Sequence, residues 1–129
     1  MRSANIHIFD DPDQAAVAAG DAFIATARLS GGRPVGLATG RTMTPVFEHF
    51  VRRDSKTNNL FASTIFSQLD EVLGQRSTNG SFANEIATNL FSQLRAKPAG
   101  FLMIDGQADE PATEAARHCH AIHKAGGLA

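Results

Sequence analysis

The organisation of this chain follows from the stretch Pro34-Val35-Gly36-Leu37-Ala38-Thr39-Gly40-Arg41-Thr42, which continues at once into Met43-Thr44-Pro45-Val46-Phe47. A short apolar run stops at a turn of small, hydroxyl-bearing residues, and an amphipathic segment begins with proline in its first turn. Proline is common at that point of a helix because its missing N–H would have no partner there. The pattern therefore predicts a strand, a tight loop and the N-terminus of a helix in succession.

A junction of this kind can bind an anion. Free backbone N–H groups and the positive end of the helix dipole point to one place. Thr39, Thr42 and Thr44 add hydroxyl groups, and Arg41 adds a fixed positive charge. The same residues also suit an ordinary strand-to-helix turn whose threonines cap the helix. A phosphate or carboxylate site is therefore one of two interpretations of the local sequence.

The size and composition of the chain are those of one soluble globular domain. It has 129 residues, of which 43% are hydrophobic and 19% are charged. The net charge of −1 favours neither a nucleic-acid partner nor a membrane surface. No apolar run approaches the roughly 20 residues of a membrane-spanning helix. Cys119 is the single cysteine, so no disulfide can form within the chain, which fits a reducing, cytoplasmic location.

Strand-like and helix-like segments alternate along the sequence. The strands are predicted at residues 5–9, 34–38, within 60–69 and at 101–104, and the helices at 12–29, 45–52, 81–97 and 112–124, with a polar loop at 53–59. Four successive strand-helix units with crossovers of this length predict an α/β fold. Its sheet should be open and mostly parallel, with helices on both faces in a Rossmann-like, three-layer arrangement.

Ligands of such sheets bind beyond the carboxyl ends of the strands. The loop at residues 39–42 and the pair Asp70-Glu71 both follow predicted strands, so we expect them at the same edge. Adjacent side chains at a strand end point in opposite directions, which excludes a carboxylate pair acting on one bond. One carboxylate could still abstract a proton next to a carbonyl group. A solvated acidic turn is the alternative interpretation.

The last predicted helix carries several potential metal ligands. His118 and His120 lie about 200° apart around a helix and cannot share one ion, whereas His120 and His123 could. A third ligand at suitable spacing is missing, so we expect no metal and assign these histidines to a solvated helix face. The apolar stripe expected to face inward consists of Ala112, Ala115, Cys119 and Ile122. We expect His7 and His49 to be structural.

The C-terminal sequence Gly126-Gly127-Leu128-Ala129 combines a helix terminator with residues that could begin another strand. A crossover helix normally leads to a further parallel strand. We therefore expect residues 1–129 to form a single but incomplete domain, the N-terminal half of a longer one.

Four segments together resemble the glucosamine-6-phosphate deaminase/isomerase family, a superfamily that includes 6-phosphogluconolactonase. The segment 36–42 is similar to its phosphate loop, and 66–74 to its strand ending in Asp-Glu-Tyr-x-Gly. Residues 79–82 with 89–91 resemble its next helix, and 106–127 the helix before its central motif. The four motifs occur in the family's order and span nearly the whole chain.

The resemblance implies a Rossmann-like domain that deaminates and isomerises an amino-sugar phosphate without a cofactor, as part of carbohydrate metabolism. It implies that Thr39, Gly40, Arg41 and Thr42 bind the substrate phosphate. Asp70 would be the base that moves a proton between C2 and C1 through an enediol-type intermediate, with Glu71 in a supporting role. The expected partner is a phosphorylated sugar, and we expect a homo-oligomer.

The sequence also departs from the family pattern. Val72 replaces the usual tyrosine, and Met43 stands where proline is common. The family's histidine-containing central motif would begin soon after Leu128, so we expect this chain alone to be weakly active or inactive. Two alternatives stay open. One is a 6-phosphogluconolactonase-like hydrolase, and the other is a non-catalytic remnant that binds a sugar phosphate or docks a partner through an uncovered sheet edge.

Overall fold

A computed structural model describes residues 4–57, 59–74 and 80–129, which form a three-stranded parallel sheet with four α-helices. The elements are α1 (Pro12–Leu29), β1 (Val35–Leu37), α2 (Thr44–Thr57), β2 (Ile65–Gln68), α3 (Phe82–Asn89), a 3₁₀ turn (Phe91–Gln93), β3 (Gly100–Leu102) and α4 (Pro111–Lys124). The predicted open, parallel α/β architecture is confirmed. The strands are shorter than predicted, with three or four residues each.

The sheet order is β1-β2-β3, and every pair is parallel. Leu37 at the end of β1 lies opposite Gln68 at the end of β2, and Ser67 lies opposite Leu102. The carboxyl ends of the three strands therefore share one edge. A Cβ atom on Gly36 would lie 2.7 Å from the Leu69 side chain, so glycine allows that side chain to pack against β1.

A row of phenylalanine rings forms much of the core. Phe50 of α2 contacts Phe61 with ring centroids 5.2 Å apart, and Phe61 contacts Phe66 of β2 at the same distance. The row extends to Phe23 of α1 and to Phe91. Ring pairs at these distances add attraction to the apolar area they bury, so the row ties α1 and α2 to the central strand.

The predicted boundaries of α1 are confirmed. Asp11 caps its N-terminus by accepting a hydrogen bond from the Gln14 N–H at 2.8 Å, and Pro12 occupies the first helical position. Gly31 and Gly32 follow its C-terminus with φ angles of +61° and +86°, which favour glycine. The chain can therefore leave the helix sharply and enter β1.

The first predicted strand is wrong. Residues 5–9 have no strand assignment, and the side chains of Ile6 and Ile8 are 82% and 91% exposed. An alternating pattern forms a strand only where a neighbouring strand accepts its hydrogen bonds. Among the described residues this segment has no such neighbour.

Helix α2 is longer than predicted, because residues 53–57 continue it instead of forming a loop. Two polar residues of this segment have partners that sequence periodicity does not reveal. Arg53 donates to Asp21 of α1 at 2.7 Å. The buried Asp54 carboxylate accepts from the N–H groups of Leu60 and Arg95 at 2.9 and 2.7 Å.

Helix α3 is shorter than predicted, ending at Asn89 instead of near residue 97. Ser92 donates its hydroxyl to the Thr88 carbonyl at 2.7 Å, and the Gln93 side chain donates to the Asn89 carbonyl at 3.2 Å. Side chains that bond helix-terminal carbonyls in this way compete with continuation of the helix. The predicted cap at Ser81 is confirmed, since its hydroxyl accepts from the Asn84 N–H.

The predicted inward face of α4 is wrong. Glu114 and His118 are its buried residues, whereas Ala112, Ala115 and Cys119 are exposed and Ile122 is half-buried. The helix is therefore rotated by about one residue relative to the apolar stripe, because its polar side chains bond the strand ends. After α4, Gly126 and Gly127 turn the chain, as predicted, and the Ala129 N–H donates to the Pro34 carbonyl at 2.9 Å.

Candidate functional site

The predicted anion loop lies between the end of β1 and the start of α2. Gly40 adopts a φ of +98°, and its carbonyl accepts from the Met43 N–H at 2.9 Å. The Thr44 N–H donates to the Arg41 carbonyl at 3.3 Å, which closes the turn into α2. Gly40, Arg41 and Thr42 are exposed, and Thr39 is half-buried. The strand, loop and helix order predicted from the sequence is therefore present.

The amides of this loop differ in their partners. The Gly40 N–H donates to Glu85 Oε1 of α3 at 2.9 Å. The N–H groups of Arg41 and Thr42 make no hydrogen bond to any residue that the structure describes. Within the same residues, the Arg41 side chain has no ion pair. Arg41 lines a cavity of about 500 Å³ together with polar residues of α2 and α3: Thr44, Asn84, Glu85, Thr88 and Asn89. This loop can donate two amides and a guanidinium group to an anion.

Asp70 lies at the same edge as the loop but borders a different cavity. Because Leu37 pairs with Gln68, the residues that follow β1 and β2 leave the sheet side by side. The Asp70 side chain is exposed. It lines a cavity of about 290 Å³ between the ends of β2 and β3 and the first turns of α4, with Leu73, Ile104 and His118 among the other lining residues. The shared edge predicted for the two features is present.

Glu71 lines the same cavity as Asp70, but its carboxylate holds α3 in place. Its carboxylate accepts hydrogen bonds from the N–H groups of Phe82, Ala83 and Val72 at 2.8, 3.0 and 2.8 Å, and from the Gln68 side chain at 2.9 Å. Partial burial raises the pKa of Glu71, but these hydrogen bonds outweigh that effect and lower it. An ionised, fully bonded carboxylate at a helix N-terminus is suited to positioning and not to proton transfer.

Gln68 connects Glu71 to the next strand and was not predicted from the sequence. It is 1% exposed. Its side-chain Nε2 donates to the Asp70 carbonyl at 3.1 Å and to Glu71, and its Oε1 accepts from the Ile104 N–H at 2.9 Å. One amide side chain thus fixes the backbone on both sides of the cavity that Asp70 borders.

His118 is the second residue that the sequence analysis missed. The prediction of a solvated histidine is wrong, since His118 is 4% exposed. Its Nε2 donates to the Gln68 carbonyl at 2.8 Å and lies 3.2 Å from the Ser67 hydroxyl. Its buried Nδ1 has no partner among the described residues. The spacing of Glu114 and His118, four apart on one helix face, is the signal that could have indicated this face.

Glu114 and Arg117 secure the loop between β3 and α4. Arg117 donates to both Glu114 oxygens and, at 2.8 Å, to the Met103 carbonyl, while Glu114 also accepts from the Asp105 N–H at 2.7 Å. These hydrogen bonds from Arg117 and Asp105 lower the pKa of Glu114 to about 2. The ion pair holds the α4 side of the cavity, and the Glu114 carboxylate that forms it is fully bonded and not suited to proton transfer.

The described ranges contain no group of three or more His, Cys, Asp and Glu side chains placed to bind a metal. His120, His123 and Cys119 are exposed.

No helix in the described part of the chain is long and apolar enough to cross a membrane. His49, expected to be structural, is buried and bonds Asp21 of α1 at 2.9 Å.

Comparison with solved structures supports the architecture. The chain is similar to a monomeric glucosamine-6-phosphate deaminase, described as a missing link of the NagB superfamily, with a TM-score of 0.83 and 22% identity over 93% of this chain. It is also similar to the devB protein, with a TM-score of 0.71 and 24% identity over 88% of this chain. This is the fold that the sequence motifs predicted.

The chain spans about half the length of these two solved structures, 50% and 48% respectively. The identities are low enough that the similarity establishes the fold and not the reaction. Comparisons with protein-family models and with curated proteins find no match.

Proposed function

We propose that this chain forms the phosphate-binding half of an amino-sugar phosphate deaminase/isomerase. One observation carries the proposal. The Arg41 and Thr42 amides and the Arg41 side chain are without partners in the described structure, at the sheet edge where Asp70 follows β2. The same fold is found in a glucosamine-6-phosphate deaminase. A phosphate at residues 39–42 would hold a sugar at the edge where Asp70 is exposed.

The proposed roles follow from the environment of each side chain. Thr39, Gly40, Arg41 and Thr42 bind the phosphate through hydroxyl groups, amides and the guanidinium charge. Asp70 is the base that takes the proton from C2 and returns it at C1, which leaves an imine at C2. Water then adds to C2, its oxygen becomes the keto oxygen, and ammonia leaves, so that a keto sugar phosphate remains. Glu71 is a positioning residue, because all its contacts serve α3 and the strand end.

The isolated chain should bind this substrate class better than it converts it. Proton abstraction by Asp70 needs a partner acid to open the sugar ring, held in register with the phosphate site. We therefore expect an ammonia assay with glucosamine 6-phosphate to detect little or no turnover. Rapid ammonia release by the purified chain would contradict this part of the proposal.

Thermal unfolding with different ligands tests the binding site. Glucosamine 6-phosphate, fructose 6-phosphate and 6-phosphogluconate should raise the Tm, whereas glucosamine at the same concentration should not, because a ligand stabilises only the state that binds it. A larger shift with 6-phosphogluconate than with the two hexose phosphates would favour the lactonase-like alternative. No shift with any phosphorylated sugar would overturn the proposal.

Arg41→Ala with Arg52→Ala as its control locates the site. Both arginines are exposed and carry the same charge, but Arg52 lies on α2 outside the loop. Loss of the Arg41 guanidinium should weaken phosphate binding about tenfold or more, since a charged hydrogen bond is removed. Equal weakening in both variants would indicate a general charge effect instead of a site.

Two further expectations belong to the same proposal. We propose a cytoplasmic protein that self-associates, and the exposed Ile6 and Ile8 side chains are apolar surface that association could cover. Sedimentation velocity over a range of concentrations tests this directly. A single monomeric species at every concentration would contradict the expected homo-oligomer.

A further inference from the structure

Glu85 contacts the anion loop although no sequence motif pointed to it. Its Oε1 accepts a hydrogen bond from the Gly40 N–H at 2.9 Å, across 45 positions of sequence. Glu85 and Arg41 line the same cavity of about 500 Å³. One amide of the proposed phosphate site is therefore already bound to a carboxylate of the protein itself.

This contact is not needed to cap α3. Ser81 accepts from the Asn84 N–H at 3.0 Å, and Glu71 accepts from the N–H groups of Phe82 and Ala83. The first turn of the helix is thus satisfied without Glu85. In the described structure the hydrogen bond from Gly40 is the one polar contact of the Glu85 side chain.

We propose that Glu85 acts as an internal competitor for the phosphate site. Its carboxylate occupies the Gly40 amide when no ligand is present, and it must move away when a phosphoryl group binds. A carboxylate and a phosphate share charge sign and acceptor chemistry, so both cannot use one N–H group. The inference rests on the proposed phosphate site at residues 39–42.

The competition would affect both affinity and selectivity. Binding must replace the Glu85 contact, so the observed affinity is lower than the loop alone would give. A phosphoryl dianion, with more charge and more acceptor oxygens, can displace the carboxylate. A ligand bearing only a carboxylate offers the loop nothing that Glu85 does not already supply. Glu85 would therefore favour phosphorylated sugars over sugar acids.

Glu85→Gln is the test, with Glu48→Gln as the matched control. Glu48 is exposed on α2 and does not line this cavity, so it reproduces the change in net charge. Calorimetric titration with inorganic phosphate and with glucosamine 6-phosphate should show about tenfold tighter binding by Glu85→Gln. The Glu48→Gln affinity should stay within about twofold of the starting chain.

A contact that is only structural would give a different result. Glu85→Gln would then lower the Tm and leave phosphate affinity unchanged or weaker, which would overturn the inference. A second result would separate the two proposals. If Arg41→Ala loses phosphate binding but Glu85→Gln binds no more tightly than the starting chain, the inference is overturned and the proposed function is kept. No binding by any variant would overturn both.

NMR of the Gly40 amide keeps the inference testable if the variant is unstable, because its phosphate arm needs only the starting chain. The Gly40 amide proton should move upfield in Glu85→Gln, since it loses a charged acceptor. Phosphate added to the starting chain should shift the same resonance, because the acceptor is exchanged. An amide resonance that is insensitive to both changes would show that Glu85 does not occupy the site.

Discussion

At the scale of single residues, the two adjacent carboxylates after β2 have opposite environments. Asp70 is exposed, whereas Glu71 accepts three backbone hydrogen bonds and one from Gln68. Geometry along a strand predicts that neighbours diverge. The sequence could not show what Glu71 turns towards, because its partners at the start of α3 are 11 and 12 positions away.

Glu71→Ala should destabilise the fold by about 2 kcal/mol, because the amides of Phe82 and Ala83 lose a charged acceptor. Urea unfolding at neutral pH measures the change in the free energy of unfolding. Asp70→Ala is the control, since its exposed carboxylate should contribute less than about 0.5 kcal/mol. Equal effects of the two substitutions would contradict the positioning role of Glu71.

Glu114 gives the chain an acid-dependent element of stability. Its pKa falls from the usual 4.5 to about 2 because Arg117 and the Asp105 amide bond the ionised form. A lowered carboxyl pKa contributes stability that is complete above 4.5 and is lost as the pH falls towards 2. The free energy of unfolding of Glu114→Gln should therefore differ most from that of the starting chain above pH 4.5, and the difference should shrink as the pH falls towards 2. A difference that grows as the pH falls from 4.5 to 2 would contradict this sign.

At the scale of secondary-structure elements, the junction between α1 and α2 depends on close packing. A Cβ atom on Gly20 would lie 2.5 Å from the His49 ring, which is buried and bonded to Asp21. Alanine is normally the better helix residue by about 1 kcal/mol. An alanine at position 20 would force the His49 ring to move, so the cost of this steric clash exceeds the gain in helix propensity.

Gly20→Ala should therefore lower the free energy of unfolding by about 1–3 kcal/mol in the starting chain. In a His49→Ala background the same change should be neutral or stabilising, because the ring is gone and only propensity remains. Chemical denaturation of the four proteins in this cycle measures the coupling. Equal effects of Gly20→Ala in both backgrounds would exclude the predicted clash.

Asp54 links the C-terminal end of α2 to two later segments. Asp54→Ala leaves the N–H groups of Leu60 and Arg95 without the acceptor they use, so we expect a loss of about 3 kcal/mol in urea unfolding. Ser55→Ala, a neighbouring change on the exposed side, should cost less than about 0.5 kcal/mol. A small effect at Asp54 would mean that these segments are held by apolar contacts alone.

The elements that sequence predicted well are those with local signals. Proline and aspartate mark the start of α1, paired glycines mark its end, and Ser81 caps α3. The errors come from distant partners. Residues 5–9 alternate correctly but have no paired strand in the described chain, and α4 buries Glu114 and His118 because the strand ends supply their hydrogen bonds.

At the scale of the whole molecule, the register of the parallel strands explains the position of the candidate site better than any one sequence motif does. Parallel pairing of β1 with β2 brings the end of each strand to one edge, so loops that are distant in sequence become neighbours. The order of elements was sufficient to predict this edge. It could not predict that the loop and Asp70 border separate cavities, because that depends on where α3 and α4 pack.

The most direct test of the central claim is an amide-resolved NMR titration of the chain with glucosamine 6-phosphate, with glucosamine as the unphosphorylated comparison. We expect the phosphorylated sugar to shift the amide resonances of Gly40, Arg41 and Thr42 first, and those of Asp70 and Glu71 with the same affinity. Glucosamine should leave the loop resonances unchanged. Shifts confined to other surfaces, or equal shifts with both sugars, would contradict a phosphate site at the shared strand edge.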